Sequence, residues 1–381
     1  MVQTFSVLPF ETPPAAGNQF RRQVREVVAP FVERLPPEKR GNCWSVADPE
    51  CSRTLGRAGL VGMLWPKRYG GHEHDPLTRY IALEEMLAAG APVGAHWIAD
   101  RQTGPLLLRY GTEEQREKYL PGMAAGELYA CIGLSEPGAG SDLASVRTSA
   151  RRSGDGWVIN GQKVWTSGAH YAHVILALVR TEKGSERQQG LSQFLVDLDT
   201  PGVSVRPITD MFGTAEFNEV FFEDVRVPDA ALVGTEGEGW KQATAELALE
   251  RSGPERYLSS HALLAALVDS LDDNAPPEMT ALVGRLVADL WTLRQMSMSV
   301  AAKLARGEDP TIEASIVKDL GNTYEQELPL AVQAVLDLDL ADNAPLPRIL
   351  SLLLQTSPSF SLRGGTREII RGIIARGLGL R

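Results

Sequence analysis

Three stretches of this chain hold residue types that could do chemistry. The first is GLSEPGAGSDLAS, residues 133–145. Glycines, a proline and hydroxyls at the end of a strand-like run can turn backbone N–H groups toward a flat or anionic ligand. The same composition describes an ordinary surface turn, and composition alone leaves both readings open. No strand–GxGxxG–helix unit surrounds it, so it is not a dinucleotide fingerprint. The second is ELALERSGPERY, residues 246–257. Glu250 shares a helical face with Ala243 and Leu247, which would set a carboxylate among apolar neighbours. Desolvation raises the pKa of such a group and suits it to accept a proton. Ser252, Gly253 and Pro254 then loosen or end the helix and leave room beside the carboxylate. The competing reading is a solvated stripe of Glu246 and Glu250, four residues apart. The third is RGGTREIIRG, residues 363–372. Glycine inside a helix costs about 1 kcal/mol relative to alanine. The pair Gly364–Gly365 therefore either ends a helix or lets backbone approach something closely.

Other candidates carry less. GHEHDP places His72, Glu73, His74 and Asp75 in a row, but alternating residues in a loop are a poor metal pattern, and no metal is expected. No histidine and serine pair stands in a recognisable nucleophile motif.

The elements around these stretches follow from periodicity. NQFRRQVREVVAPFVERL puts Phe20, Val24, Val27 and Phe31 on one helical face. LTRYIALEEMLAAGAP reads as a second helix stopped by Gly90 and Pro92. Thr112 with Gln115 three residues on predicts a capping box. Near residue 128 the pattern changes to short runs rich in valine, isoleucine and aromatics. GWVINGQKVW carries an Asn-Gly pair between two such runs and predicts a hairpin there. HVILALVRT, SQFLVDLD, GVSVRPI and NEVFFEDVRVP continue the strands, which suggests a compact barrel or sandwich. From Gly239 the helical period returns and persists as successive bundle helices. The expected domains are 1–127 (helical), 128–236 (β, the flavin-ring side under the resemblance below) and 237–381 (helical bundle).

At 381 residues and 43% hydrophobic, the chain can bury a large core. Net charge is −10 with no run of lysines or arginines, which argues against nucleic acid as a partner. The N-terminus MVQTFSVLPFETPP has no basic n-region or apolar h-region, and runs such as VILALV are far too short to span a bilayer. Cys43, Cys51 and Cys131 suit a reducing cytoplasm and read as buried small hydrophobes.

Motifs in order along the chain carry a resemblance. GTEEQREKYLPGMAAGE (111–127), SEPGAGSD and GQKVWTSGA (161–169) are joined by WPKRYGGHEHD (65–75), EVFFEDVRVP (219–228) and GTREIIRGIIARGLGL (365–380). Together these resemble the acyl-CoA dehydrogenase family, flavoenzymes that oxidise the α,β bond of an acyl thioester. The resemblance implies an α+β multidomain fold: an N-terminal α-helical domain, a middle β-barrel or sandwich domain and a C-terminal four-helix bundle. It implies FAD, with Leu134 and Ser135 at the pyrimidine edge of the flavin, Trp165 and Ser167 over the ring and near N5, and Thr366 also at the cofactor. Ser141 matches a position near the pantetheine of the CoA ester. In many members the base is a glutamate immediately before the tail's Gly-Thr, and here that position is Gly364. A subset carries the base on an earlier helix, before an arginine; Glu250 matches that base, with Arg251 close to the substrate.

The family pattern also breaks. Homotetrameric members grip FAD with Arg-x-x-Phe-Gly and Gln-x-x-Gly-Gly-x-Gly segments from a neighbouring chain, and neither is present around 268–286 or 337–348. The pattern resembles actinobacterial acyl-CoA dehydrogenase subunits that work as mixed tetramers on bulky steroid side-chain thioesters. The expected partners are an acyl-CoA substrate, an electron-transfer flavoprotein and a hetero- or homo-tetramer built as a dimer of dimers, without membrane insertion. Two readings compete: a non-catalytic or FAD-poor partner subunit, and an oxygen-reactive oxidase or monooxygenase on the same fold.

Overall fold

The computed structural model describes residues 17–182, 185, 187–249, 253–272, 274–336, 338–340 and 342–380. Two compact units divide the chain. One comprises Ala47–Glu73 and Gly94–Leu247, the other Met1–Val46, His74–Val93 and Ala248–Arg381.

The first unit is built on a sheet that has eight strands among the described residues: β1 (Ala130–Gly133), β2 (Ser149–Ser153), β3 (Gly156–Ser167), β4 (Val174–Arg180), β5 (Leu191–Asp197), β6 (Val203–Ile208), β7 (Phe217–Pro228) and β8 (Leu232–Val233). The order is β6-β7-β3-β2-β4-β5-β8, with β1 lying parallel against β4. A single pair, Ser149 with Arg180, joins β2 to β4. Trp157, Ile159, Val220 and Phe222 from one half share a core with Ile175, Ala177, Phe194 and Val196 from the other, so the two halves face each other as a sandwich.

β4 explains its own sequence. VILALV is continuously apolar because both faces of the strand are covered. Ile175, Ala177 and Val179 enter the sandwich core, whereas Val174 and Leu176 meet Leu106, Leu107, Leu120 and Met123 on the helical side. Each large side chain buried this way contributes about 1.5–3 kcal/mol. Helix Glu113–Ala124 opens with the expected capping box, Thr112 Oγ1 accepting from Gln115 N at 3.2 Å and Gln115 Oε1 from Thr112 N at 3.1 Å.

The second unit is helical: Gly17–Glu33, Pro76–Ala89, His261–Asp269, Pro277–Ala305, Thr311–Val335, Pro345–Thr356 and Arg367–Gly377. Val24, Val28 and Phe31 form the buried face of the first, with Val27 and Phe20 only part-covered. The helix ending at Ala89 stops where expected, at Gly90 with φ +77°. Helix–strand–helix is thus the element order, and the fold is the α+β arrangement the sequence implied. All three cysteines are buried and free, and burial pushes the Cys43 thiol up to about 12. No helix among the described residues is long and apolar enough to cross a membrane.

One local expectation is overturned. Asn160–Gly161 makes no hairpin; β3 runs straight through it, and the turn falls at Gly154–Asp155 instead. Gly161 has φ +146° at a register shift against β7, and a methyl there would sit 2.6 Å from Thr148 Cα. Asn160 closes the irregularity by exchanging hydrogen bonds with Asp224 at 2.9 and 3.0 Å. The glycine serves a close approach between strands rather than a reversal. Gly161→Ala should therefore destabilise the chain by about 1–3 kcal/mol in urea unfolding, where a mere turn position of that kind would tolerate the change better.

Candidate active site

β1 ends at Gly133, where a side chain would collide with Ile175 Cδ1 at 2.8 Å and Lys163 Cγ at 3.0 Å. Beyond it the chain reverses tightly: Glu136 N donates to Ala139 O at 2.8 Å and Ala139 N returns the bond to Glu136 O at 3.0 Å. The Glu136 carboxylate points inward. It accepts from Arg147 N (2.7 Å), Thr148 N (2.9 Å) and Lys163 Nζ (2.8 Å). Lys163 Nζ also donates to Leu134 O at 3.1 Å. The two side chains are 0% and 8% exposed, so the ion pair sits inside the fold. Burial alone would push the Glu136 carboxyl up; Lys163 and the amide donors outweigh it and hold the group below its ordinary value. Burial pushes Lys163 down to about 8 against the pull of Glu136. At neutral pH both remain charged.

The same contacts fix two predicted positions. Leu134 is half-buried and packs on Leu178 and Leu191, and Ser135 presents its carbonyl to Val164 N at 3.0 Å. Ser141 is exposed on the loop, beside glycines that have open space around them. A cleft of about 340 Å³ opens by Glu136, Gly138, Arg147 and Gln162. Trp165 and Ser167 take no part in its walls, so it is separate from the indole.

Trp165 stands in an unusual backbone. Pairing jumps from Lys163–Val220 to Thr166–Asn218, so two β3 residues oppose one β7 residue. At this bulge Trp165 has φ +59°, a left-handed conformation that costs a non-glycine residue about 1–3 kcal/mol. The reward is direction. Val164 and Thr166 are 8% and 1% exposed, while Trp165 is 59% exposed, its indole edge-on to Phe217 at 6.1 Å. Ser167 follows, half-buried at the end of β3. The hydroxyls of Ser135 and Ser167 bond to no other group among the described residues.

In the helical unit, Arg363–Gly364–Gly365–Thr366 is held from three sides. Arg363 donates to Glu325 Oε2 at 3.1 Å and lies over the rings of Phe360 and Trp44. Glu325, fully buried, also accepts from Ser259 N at 2.7 Å, and burial pushes its carboxyl up against the pull of Arg363. Lys318 Nζ donates to Gly365 O at 2.7 Å. Thr366 Oγ1 caps helix Arg367–Gly377, accepting from Ile369 N. Both glycines have positive φ, +64° and +101°. They join one helical turn to the next helix in a conformation that disfavours any side chain at 364. Glu250 and Arg251 lie outside the described residues; helix Gly239–Leu249 leads up to them. Sequence reasoning singled out neither Glu136 nor Lys163, although a charged residue within a buried strand is a signal in itself, and it missed Asn218, for which the sequence holds none.

These elements define an acyl-CoA dehydrogenase, an oxidoreductase acting on CH–CH bonds: the chain belongs to that family. Residues 15–127 match the model for the acyl-CoA dehydrogenase N-terminal domain and residues 131–225 that for the middle domain. Among its relatives is acyl-CoA dehydrogenase IpdE1 of Mycobacterium tuberculosis, 42% identical over 270 residues, 69% of this chain and 68% of that protein. IpdE1 of Mycolicibacterium smegmatis is 38% identical over 86% of each chain. Among solved structures, the Tcur3481-Tcur3483 steroid ACAD superposes with a TM-score of 0.87 at 30% identity, covering 99% of this chain and 100% of that one. The ChsE4-ChsE5 complex from Mycobacterium tuberculosis gives 0.84 at 30% identity, covering 97% and 99%.

The family implies FAD. An indole turned outward at a strand bulge, with the Ser135 and Ser167 hydroxyls bonded to no other group among the described residues, fits the face and edge of a flat heteroaromatic ring. The residues present therefore suit the flavin end of that cofactor.

Lys163→Met should cost about 3–5 kcal/mol in urea unfolding, because it strands a buried carboxylate, and Lys163→Met with Glu136→Gln should cost less. The folded Glu136 carboxyl lies below its unfolded value. Its stabilisation is thus present above about pH 4.5 and lost as pH falls through the folded value. Glu136→Gln should flatten that part of the acid unfolding curve.

Proposed function

We propose that this chain dehydrogenates the Cα–Cβ bond of an acyl-CoA thioester with FAD as oxidant, and that Glu250 is the base. The observation that carries the reading is Trp165, a tryptophan held outward in left-handed backbone where the family motif calls for a flavin cover. Trp165 and Ser167 would lie against the isoalloxazine, Leu134 and Ser135 would meet its pyrimidine edge, and Thr366 would approach from the tail. Ser141 would hold the pantetheine arm and Arg251 would stand beside the thioester. Glu250 takes the α-proton, and a double bond forms between Cα and Cβ. Bound FAD supplies the acceptor for the β-hydride. Gly364 supports the same assignment, since a glutamate there would have to adopt φ +64°, which is strained for any residue with a Cβ.

The substrate is read as a bulky, steroid-type acyl-CoA and the assembly as a mixed tetramer in which this chain is the base-bearing half. Support comes from structural relatives described as a steroid ACAD and as two-chain complexes, and from the missing adenine-side segments. Electrons would leave to an electron-transfer flavoprotein in the cytoplasm.

Glu250→Gln should lower kcat by about 10²–10⁴-fold with the flavin absorbance retained; unchanged turnover rejects the base assignment. Expressed alone, the chain should purify with well under one FAD per chain, and co-expression with a paralogous acyl-CoA dehydrogenase chain should raise that ratio at least several-fold. Full FAD and full activity in the lone chain would reject the mixed assembly.

A further inference from the structure

Asn218 in β7 is fully buried and lies opposite Thr166 in the register. Its Nδ2 donates to Thr166 O at 2.9 Å and reaches Glu216 O at 3.5 Å. Both neighbours are carbonyls, which only accept, so the amide has one orientation. Oδ1 therefore faces the other way, toward His170 Nδ1 at 3.1 Å. An amide oxygen also only accepts, so Nδ1 of His170 carries the hydrogen and donates it. Gly168 N adds a bond to Glu216 O at 2.9 Å. One buried carboxamide thus ties together the β3 bulge, the loop after β3 and the start of β7.

The geometry points to Asn218 as the positioning residue for Trp165, with His170 bracing the amide from its far side. Alternation in a strand has a period of two, so a bulge that relaxes by one residue sends every following side chain to the opposite face. Thr166 O is the first carbonyl beyond Trp165, and Asn218 is the side chain that holds it. Without that donor the left-handed turn at Trp165 has less to maintain it, and the indole loses its outward direction. The consequence for cofactor binding rests on the proposed role of Trp165 as flavin cover.

Near-ultraviolet circular dichroism of the purified chain tests the positioning without substrate. The chain has seven tryptophans, and the difference between wild type and Trp165→Phe isolates the band of this one. Asn218→Leu keeps the volume and removes the amide; Asn218→Ala removes it with little steric demand and guards against a misfolded leucine variant. In whichever variant keeps the wild-type far-ultraviolet spectrum, the Trp165 band should fall by at least half. A band of full size would overturn the assignment. FAD titration supplies the second arm. Asn218→Ala should raise the FAD Kd about tenfold in the wild-type background and leave it unchanged in the Trp165→Phe background. Equal weakening in both backgrounds would mean that Asn218 is ordinary core, and the positioning role falls. If Trp165→Phe alone leaves FAD affinity unchanged, the flavin-cover reading fails, and the dichroism still decides for or against Asn218.

Discussion

Lys163 and Glu136 meet inside the fold, the ammonium wholly out of water and the carboxylate nearly so, and the geometry of the β unit's candidate residues hangs on that pair. An ammonium and a carboxylate taken out of solvent are tolerable only together and only if their remaining hydrogen-bonding capacity is met. Here it is met by Leu134 O on one side and by Arg147 N and Thr148 N on the other. The loop that begins at Leu134 is therefore fastened to the middle of β3, two residues before Trp165. Two stretches far apart in the chain become one rigid surface because a charge on each would otherwise be stranded.

Left-handed backbone serves two of the candidate segments, on opposite terms. At Gly364 and Gly365 it is inexpensive, since glycine has no Cβ to clash, and the segment is then held by Arg363 to Glu325 and by Lys318 to Gly365 O. At Trp165 it is strained, and a large aromatic bears the strain. Conformations of that kind persist only where surrounding contacts over-determine them. Val164 N on Ser135 O, Asn218 on Thr166 O and the edge of Phe217 supply those contacts. The glycine pair is a joint, whereas the tryptophan is a displayed side chain.

Much of this architecture was legible beforehand. Short runs rich in valine, isoleucine and aromatics marked the strands, helical spacing marked Val24 and Phe31, and Thr112 with Gln115 marked a helix start, because each signal is contained within a few residues. The Asn-Gly pair misled for the same reason. Locally it resembles a two-residue turn, but Thr148 just before β2 and Asp224 in β7 approach it and make it a bulge. The run from Gly94 to Tyr110 likewise contains a π-helical turn at Ala99–Thr103 that no local pattern announced.

From its letters alone this chain disclosed the order of helices and strands, the family motifs and the absence of the segments that usually hold adenine. Those properties reside in short-range periodicity and in residue identity, which survive without coordinates. Only tertiary structure decided that Lys163 is a buried cation, that Trp165 faces outward and that Asn218 stands behind it. Each depends on partners 27 to 52 residues apart in sequence, and burial, register and backbone sign are set by such partners rather than by the residue itself.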